Sequence, residues 1–172
     1  GSCGTAAAQD FCVMRYNADG TPDTTFGGTG LVVTPMGSLG DFAHALVMDG
    51  TKILVGGECE VSGGTDFCLA RYNANGTLDA GYGSGGKVIF PASSGNDAGR
   101  ALLVVDGKAY LAGNCQQSFP TAYCVARFTA NGLPDPSWGN SMTPGVSYDT
   151  PITGGGGTVR AVAASGSRVL VA

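Results

Sequence analysis

The 172-residue sequence predicts an all-β protein built from repeated units of four short antiparallel strands. Two sets of three cysteines each recur at an interval of 56 residues, and the segments around the second set are near copies of one another. Apolar and polar residues alternate within each copy, which is typical of strands and not of helices. Glycine, at 30 residues, is more than twice as frequent as the roughly 7% of an average chain.

Three repeats account for the whole sequence, and we interpret residues 1–172 as one repeat array. The repeats are residues 1–56, 57–112 and 113–172, and the third gains four residues around Gly154–Gly157. The segments that match best are Asp10–Gly20, Asp66–Gly76 and Ala122–Gly132.

Each repeat contains four predicted strands. In one copy, Arg100–Val105 and Lys108–Cys115 form a hairpin around Asp106-Gly107, the strongest short-range hairpin signal. The other predicted strands are Phe11–Asn17, Leu31–Thr34, Phe42–Met48, Lys52–Cys59, Phe67–Asn73, Lys87–Phe90, Tyr123–Thr129, Gly145–Tyr148, Val159–Ala164 and Arg168–Ala172. Four antiparallel strands in a repeat of about 50 residues are typical of a β-propeller blade, which must pack on its neighbours to bury both faces.

A family resemblance rests on a run of segments in the middle of the chain, namely Phe67–Asp79, Tyr82-Gly83, Gly85–Val88 and Ala101–Lys108. These segments resemble the delta-60 repeat, and the resemblance extends over the whole chain. The paired cysteines and the divergent third copy depart from the usual pattern. The resemblance implies a β-propeller of a bacterial secreted or surface protein, with no established activity. The order of signals is also similar to that of NHL-type propellers, which suggests that Phe42–Met48 and Arg100–Val105 are innermost strands.

The six cysteines form three pairs with members nine residues apart, Cys3/Cys12, Cys59/Cys68 and Cys115/Cys124. Each pair falls on the two arms of one predicted hairpin, where cross-strand Cα atoms are about 4.5–5.5 Å apart, a distance that suits a disulfide. We therefore predict three disulfides, and free buried thiols or metal ligation are the alternatives. Metal ligation would need closer spacing and more ligands than the single histidine, His44, supplies. Three disulfides predict an oxidising compartment, and thus an extracellular or cell-surface protein.

Arginine and aspartate recur eight residues apart in every repeat, as Arg15/Asp23, Arg71/Asp79 and Arg127/Asp135. Each arginine lies inside an otherwise apolar predicted strand. This pattern predicts one charge-assisted ion pair per repeat. The alternative is that the arginines form a basic ring that binds an anion in a propeller channel.

Aromatic residues also recur once per repeat, at Phe26/Tyr82/Trp138, Phe11/Phe67/Tyr123 and Tyr16/Tyr72/Phe128. We interpret them as packing between blades, with glycan stacking as the alternative. The segment 17–23 and its copies are similar to acidic calcium loops. Two of the three copies carry only one carboxylate, and Asn-Gly or Asp-Gly is what a tight turn requires. We therefore predict turns without a cofactor, with calcium as the alternative.

Composition and motifs argue against several function classes. The nine Lys and Arg residues are scattered singly, which disfavours a nucleic-acid partner, and no apolar run approaches the roughly 18 residues of a membrane span. No hydrolase, metalloprotease or P-loop motif is present, so we expect no enzyme. A lactonase-like propeller hydrolase is the remaining catalytic alternative. Against it, Glu58 and Glu60 are predicted at an outer hairpin, and His44 is predicted to be a core or channel side chain.

The predicted function is therefore a non-catalytic extracellular repeat module that acts as a self-assembling scaffold or structural surface protein. A propeller that binds a ligand or glycan is the alternative, and its site would lie in the copy-specific segments Gln116–Pro120 and Gly139–Gly157. The low charge of the chain, −4 net, suits extensive packing between proteins.

The ends of the sequence predict the partner of this module. Arg168–Ala172 aligns with Lys108–Ala112, and Gly1 aligns with Gly113, so the repeats are permuted and the termini cut one strand. Three blades are also fewer than the four to eight of closed propellers. We expect Arg168–Ala172 to continue into Gly1–Cys3 of another copy, or of an adjacent repeat in a longer chain. Such head-to-tail contacts give a ring if the rotation closes and a filament if it does not.

Overall fold

The computed structural model describes residues 1–5, 8–116, 121–149 and 157–172. Within these ranges the regular secondary structure is entirely β, and no helix suited to crossing a membrane occurs in them. The strands are β1 (Ser2–Thr5), β2 (Ala8–Met14), β3 (Leu31–Thr34), β4 (Asp41–Asp49), β5 (Lys52–Val61), β6 (Gly64–Tyr72), β7 (Lys87–Phe90), β8 (Asp97–Val105), β9 (Lys108–Cys115), β10 (Ala122–Phe128), β11 (Gly139–Asn140), β12 (Thr143–Pro144), β13 (Val146–Asp149), β14 (Val162–Ser165) and β15 (Arg168–Val171).

The strands pair antiparallel in sheets that follow one another along the chain. The first sheet has the order β1-β2-β3, the second β4-β5-β6-β7, the third β8-β9-β10-β13 and the fourth β14-β15, while β11 and β12 form a short ribbon beside the third. The second and third sheets therefore have the four antiparallel strands that the repeat predicts. Among the described residues, the first sheet has three strands and the fourth has two.

Several strand boundaries differ from the sequence prediction. β8 begins at Asp97 and not at Arg100, because the ladder continues past an irregularity between Gly99 and Ala101. β2 ends at Met14, because the chain beyond it forms only an isolated bridge, from Tyr16 to Pro22.

Apolar side chains fill the space between each sheet and the next. Phe11, Phe26, Val55 and Tyr72 belong to the cluster between the first and second sheets. The cluster between the second and third sheets contains Leu54, Phe67, Tyr82, Leu111 and Phe128. A third cluster, around Ala112 and Val159, joins the third sheet to the fourth. Because neighbouring strand residues point to opposite faces, Leu54 and Val55 contribute to different clusters, and the second sheet is buried on both sides.

The first strands of successive sheets lie beside one another, with β8 in contact with both β4 and β14. A buried aspartate begins each of β4 and β8. Asp41 accepts hydrogen bonds from the amides of Met36, at 2.6 Å, and Gly37, while Asp97 accepts them from the amide, at 2.7 Å, and the hydroxyl of Ser93. Burial raises the pKa of both carboxyl groups. These contacts fix the connection from the preceding sheet to the strand that follows.

Candidate functional site

All three predicted cysteine pairs are disulfide-bonded in the structure, with Cα separations of 5.8 Å for Cys3–Cys12, 5.8 Å for Cys59–Cys68 and 5.9 Å for Cys115–Cys124. The paired residues are diagonal neighbours across the hairpin, since Cys59 lies opposite Asp66 and Cys68 lies opposite Gly57. Separations of this size are within the usual range for a bridge. Three disulfides indicate an oxidising environment.

The carboxylates of the turn at residues 17–23 are bonded within the turn. Asp19 accepts hydrogen bonds from the amide of Thr21 at 2.9 Å and from its hydroxyl at 2.6 Å. Asp23 likewise accepts hydrogen bonds from the amide of Thr25 at 3.0 Å and from its hydroxyl at 2.6 Å. Across the described ranges, no three His, Cys, Asp or Glu side chains form a group suited to a metal ion. The choice between a plain turn and a calcium loop stays a prediction.

The recurring arginines lie beside the recurring aspartates. The distance from arginine Nε to aspartate Oδ2 is 2.8 Å for Arg15–Asp23, 2.8 Å for Arg71–Asp79 and 2.9 Å for Arg127–Asp135. Each guanidinium also stacks on the aromatic ring of its own repeat, 4.8 Å from the centroid of Phe26, 4.2 Å from Tyr82 and 4.9 Å from Trp138. Each arginine therefore contacts the aspartate and the aromatic ring of its own repeat, and the choice between a structural ion pair and an anion-binding ring stays a prediction.

Hydrogen bonds and neighbouring cations lower the pKa of these aspartates, with hydrogen bonds from Thr25 as the largest cause at Asp23. A hydrogen bond from Lys108, supported by Ser137 and Arg127, holds the pKa of Asp135 well below its usual range. Burial acts to raise the pKa of Asp79, but the hydrogen bond from Lys52 and the charge of Arg71 outweigh it and leave the pKa lowered. The ion pairs are therefore charged at neutral pH.

Arg71 also binds the turn of the following sheet. Its Nη1 donates to the carbonyl of Ala130 at 2.7 Å, and the amide of Gly83 donates to the carbonyl of Asn131 at 2.7 Å. Gly132 packs on the ring of Tyr82, where an added Cβ would lie 2.9 Å from the ring, so only glycine allows this approach. We name this arrangement the turn–socket contact: the socket is the arginine with its stacked aromatic residue, and the turn is the Asn-Gly segment of the next repeat.

The same contact joins the first sheet to the second. Arg15 donates Nη1 to the carbonyl of Ala74, and the amide of Gly27 donates to Asn75 at 2.9 Å. Gly76 packs on Phe26, and an added Cβ there would lie 3.1 Å from the ring. Because Phe26 and Tyr82 are fully buried by these contacts, they are not exposed for glycan stacking.

One socket and one turn remain without a counterpart. Arg127 and Trp138 form the third socket, yet among the described residues no turn carbonyl accepts a hydrogen bond from Arg127 as Ala130 does from Arg71. The turn at residues 17–21 is exposed, and an added Cβ at Gly20 would meet no atom within 4 Å. Tyr16, beside this turn, is 56% exposed, whereas its repeat equivalents Tyr72 and Phe128 are buried.

A second cluster surrounds a β-bulge that recurs in three repeats. His44 is the extra residue between Ala43 and Ala45, and Arg100 is the extra residue in the same position of β8. The third copy carries Arg160 at this position. The amides of Arg160 and Ala161 both donate to the carbonyl of Ala172, which is the hydrogen-bond pattern of a bulge. His44 is thus exposed and not a core side chain, because the bulge turns it out of the alternating pattern.

Glu58 and Glu60 lie in the β5–β6 hairpin, opposite Phe67 and Thr65, and Glu58 is also beside this cluster. The Glu58 carboxylate is 3.3 Å from Arg100 Nη2. In the β4–β5 ladder Glu58 lies opposite Phe42, next to the bulge. His44 Nε2 lies 2.6 Å from Arg100 Nη1 and 3.4 Å from Glu58 Oε1, so the imidazole stands between the guanidinium and the carboxylate. The alternation within each strand does not predict this cluster, although His44, Arg100 and Arg160 share one repeat position.

The copy-specific segments lie only partly within the described residues. Of Gln116–Pro120, residues 117–120 fall outside them, and of Gly139–Gly157, residues 150–156 do so. The described part of the second segment contains β11, β12 and β13.

The comparisons with known proteins agree with the all-β architecture. Comparison with curated proteins found no match. One family model matches, described as "Domain of unknown function (DUF5122) beta-propeller", over residues 3–26 and 52–82. These two segments contain the first two sockets, the turn at residues 17–21 and the Asn75-Gly76 turn, and together they make up about a third of the chain. Over that third, this protein is similar to a β-propeller family of repeats.

Proposed function

We propose that this chain is a non-catalytic extracellular β-propeller module that assembles with copies of itself into a scaffold or structural surface protein. One observation carries the proposal. Among the described residues the turn–socket contact is made twice, and there one socket, Arg127 with Trp138, and one turn, residues 17–21, have no counterpart.

The free turn has the groups that the free socket needs. Ala18 occupies the repeat position of Ala74 and Ala130, whose carbonyls accept from the socket arginine, so it would accept from Arg127. Gly20 occupies the position of the two buried glycines and would pack on Trp138. Docking would also cover Tyr16, the most exposed of its three repeat equivalents.

A pair of charges supports the same docking. Lys52 contacts Asp79 at 3.2 Å and Lys108 contacts Asp135 at 2.7 Å, in each case from the second strand of a sheet to the segment that follows its third strand. Arg168 holds the equivalent position in the third copy, and among the described residues no carboxylate pairs with it. The matching carboxylate is Asp23, which pairs only with Arg15 in the described chain. A second copy placed head to tail would bring Arg168 to Asp23.

The other parts of the proposal rest on the cysteines and the carboxylates. Three disulfides favour a protein exported to an oxidising compartment. Asp79 and Asp135 form ion pairs, and Asp41 and Asp97 accept hydrogen bonds from backbone amides. These contacts favour a structural role for the recurring aspartates. Because a turn of one copy meets the socket of the next, the contact is heterologous and propagates as a ring or as a filament.

Fluorescence of the single tryptophan tests the proposal, because Trp138 is the aromatic residue of the free socket. We expect light scattering to show a mass that rises with concentration above 17.1 kDa, and the emission of Trp138 to shift to shorter wavelength in parallel. Gly20→Asn should weaken association at least tenfold, because asparagine tolerates the positive φ of 86° while its side chain obstructs the socket.

Gly50→Asn is the matched control. Gly50 also has a positive φ, 61°, and open space where a Cβ would be added, but it lies in the β4–β5 hairpin away from the free turn. We expect it to assemble as the unmodified protein does. A monodisperse 17.1 kDa particle at every concentration would refute self-assembly, and equal association of both variants would refute the role of the turn.

A further inference from the structure

We propose that the three bulge residues His44, Arg100 and Arg160 form a binding site for a small carboxylate anion. The site lies where the first strands of the second, third and fourth sheets run side by side. It is separate from the turn–socket contact and does not depend on self-assembly.

The first support is geometric. Three successive sheets carry a bulge in the same repeat position, and each bulge presents a nitrogen-bearing side chain. Bulges redirect a side chain out of the regular alternation and are frequent beside functional sites. Together with Thr158 and Val159, these three residues line one cleft of about 420 Å³.

The second support is that the segment before Arg160 is held in place. The side-chain amide of Asn114 donates to the carbonyl of Gly157 at 2.7 Å, and its oxygen accepts from the amide of Val159 at 3.1 Å. Val159 is fully buried. Asn114 occupies the repeat position of Glu58. In both copies the residue at this position contacts the bulge region of the following sheet, Glu58 at Arg100 and Asn114 just before Arg160.

The charges of the cluster define the ligand. Arg100 pairs with Glu58, whereas no carboxylate among the described residues pairs with Arg160. The two arginines and the one glutamate together leave a single positive charge. Arginine presents a planar fork of donors that matches a carboxylate. A singly charged carboxylate would balance the cluster, whereas a doubly charged phosphate would exceed it and meet the repulsion of Glu58.

Nuclear magnetic resonance of the arginine side-chain Nε–H groups tests the site, with sodium acetate as the probe and ionic strength held constant with sodium chloride. We expect saturable shifts of the Arg100 and Arg160 signals. Arg160→Gln should weaken acetate binding at least tenfold, and because Arg160 is exposed the variant should keep its fold. Inorganic phosphate should bind more weakly than acetate.

Lys87→Gln provides the control. It removes the same charge, but Lys87 lies outside the cleft and donates to the carbonyl of Pro35 at 2.6 Å. We expect acetate binding to be unchanged in this variant. A linear response to acetate, unchanged binding in Arg160→Gln, or an equal loss in Lys87→Gln would overturn the site. Tighter binding of phosphate than of acetate would overturn the assignment of a carboxylate.

Discussion

Removing the guanidinium of Arg71 should destabilise the protein more than removing any other repeated cation. Its side chain is only 12% exposed, and it pairs with Asp79 at 2.8 Å and with Asp49 at 3.2 Å. It also donates to the carbonyl of Ala130 in the following sheet and stacks on Tyr82. Arg71→Met keeps the apolar stem and removes every one of these polar contacts.

The expected loss for Arg71→Met is about 3 kcal/mol. Most of it comes from the charged hydrogen bond to the carbonyl of Ala130, which is worth roughly 1.5–3 kcal/mol. The stacking on Tyr82 adds about 0.5–1 kcal/mol. Asp79 keeps Lys52 as a partner, so the further cost of leaving a buried carboxylate unpaired is not added.

Urea unfolding and calorimetry with the disulfides intact measure this loss. For a chain of this size it corresponds to a fall in Tm of about 6–12 °C. Arg15→Met is the matched control, because Arg15 makes the equivalent contacts at 33% exposure and should lose less. A loss below about 1 kcal/mol in Arg71→Met, or an equal loss in the control, would refute this account of the turn–socket contact.

Three further predictions concern acid stability, the disulfides and calcium. Because the pKa of Asp135 is lowered in the folded state by Lys108, its contribution is present near neutral pH and is lost as the pH falls below about 4. Urea midpoints at pH 7 and pH 3 should therefore differ less in Asp135→Asn than in the unmodified protein, and an equal difference would contradict the prediction. Replacing Cys59 and Cys68 together by serine should cost about 2.5–3 kcal/mol, as expected for a loop of about ten residues, and alkylation of the unmodified native protein should find no free thiol. A chelator should leave Tm unchanged, and a fall in Tm that added calcium reverses would favour the calcium-loop alternative.

The sequence was sufficient for much of the fold, because the local signals and the repeat agree. The strands Leu31–Thr34, Lys87–Phe90 and Lys108–Cys115 have the predicted bounds, and the last of them begins after the predicted turn at Asp106-Gly107. Strand starts such as that of β8 were placed too late, since Gly99 and the bulge interrupt the apolar alternation on which the prediction depends. A bulge is a property of the ladder, and no residue pattern within a single strand specifies it.

The candidate site was only partly predictable for the same reason. Cys59 and Cys68, and Arg71 with Asp79, are close in sequence and recur in register, so their proximity follows from one hairpin and one turn. The cluster at His44 joins side chains from different sheets, and its position depends on how those sheets stack. That stacking is set by tertiary packing, which the alternation within one strand does not encode.

The turn–socket contact also makes the local stability differ from one sheet to the next. The first sheet receives the turn of the second, and the second receives the turn of the third, so the second sheet is held by this contact on both faces and the first on one. In arrays of this kind stability is the sum of repeat and interface terms, and local opening begins where an interface is missing. Amide hydrogen exchange should therefore be fast in β2 beside the exposed Tyr16 and slow in β5 and β6. The second sheet would be the last to exchange with solvent.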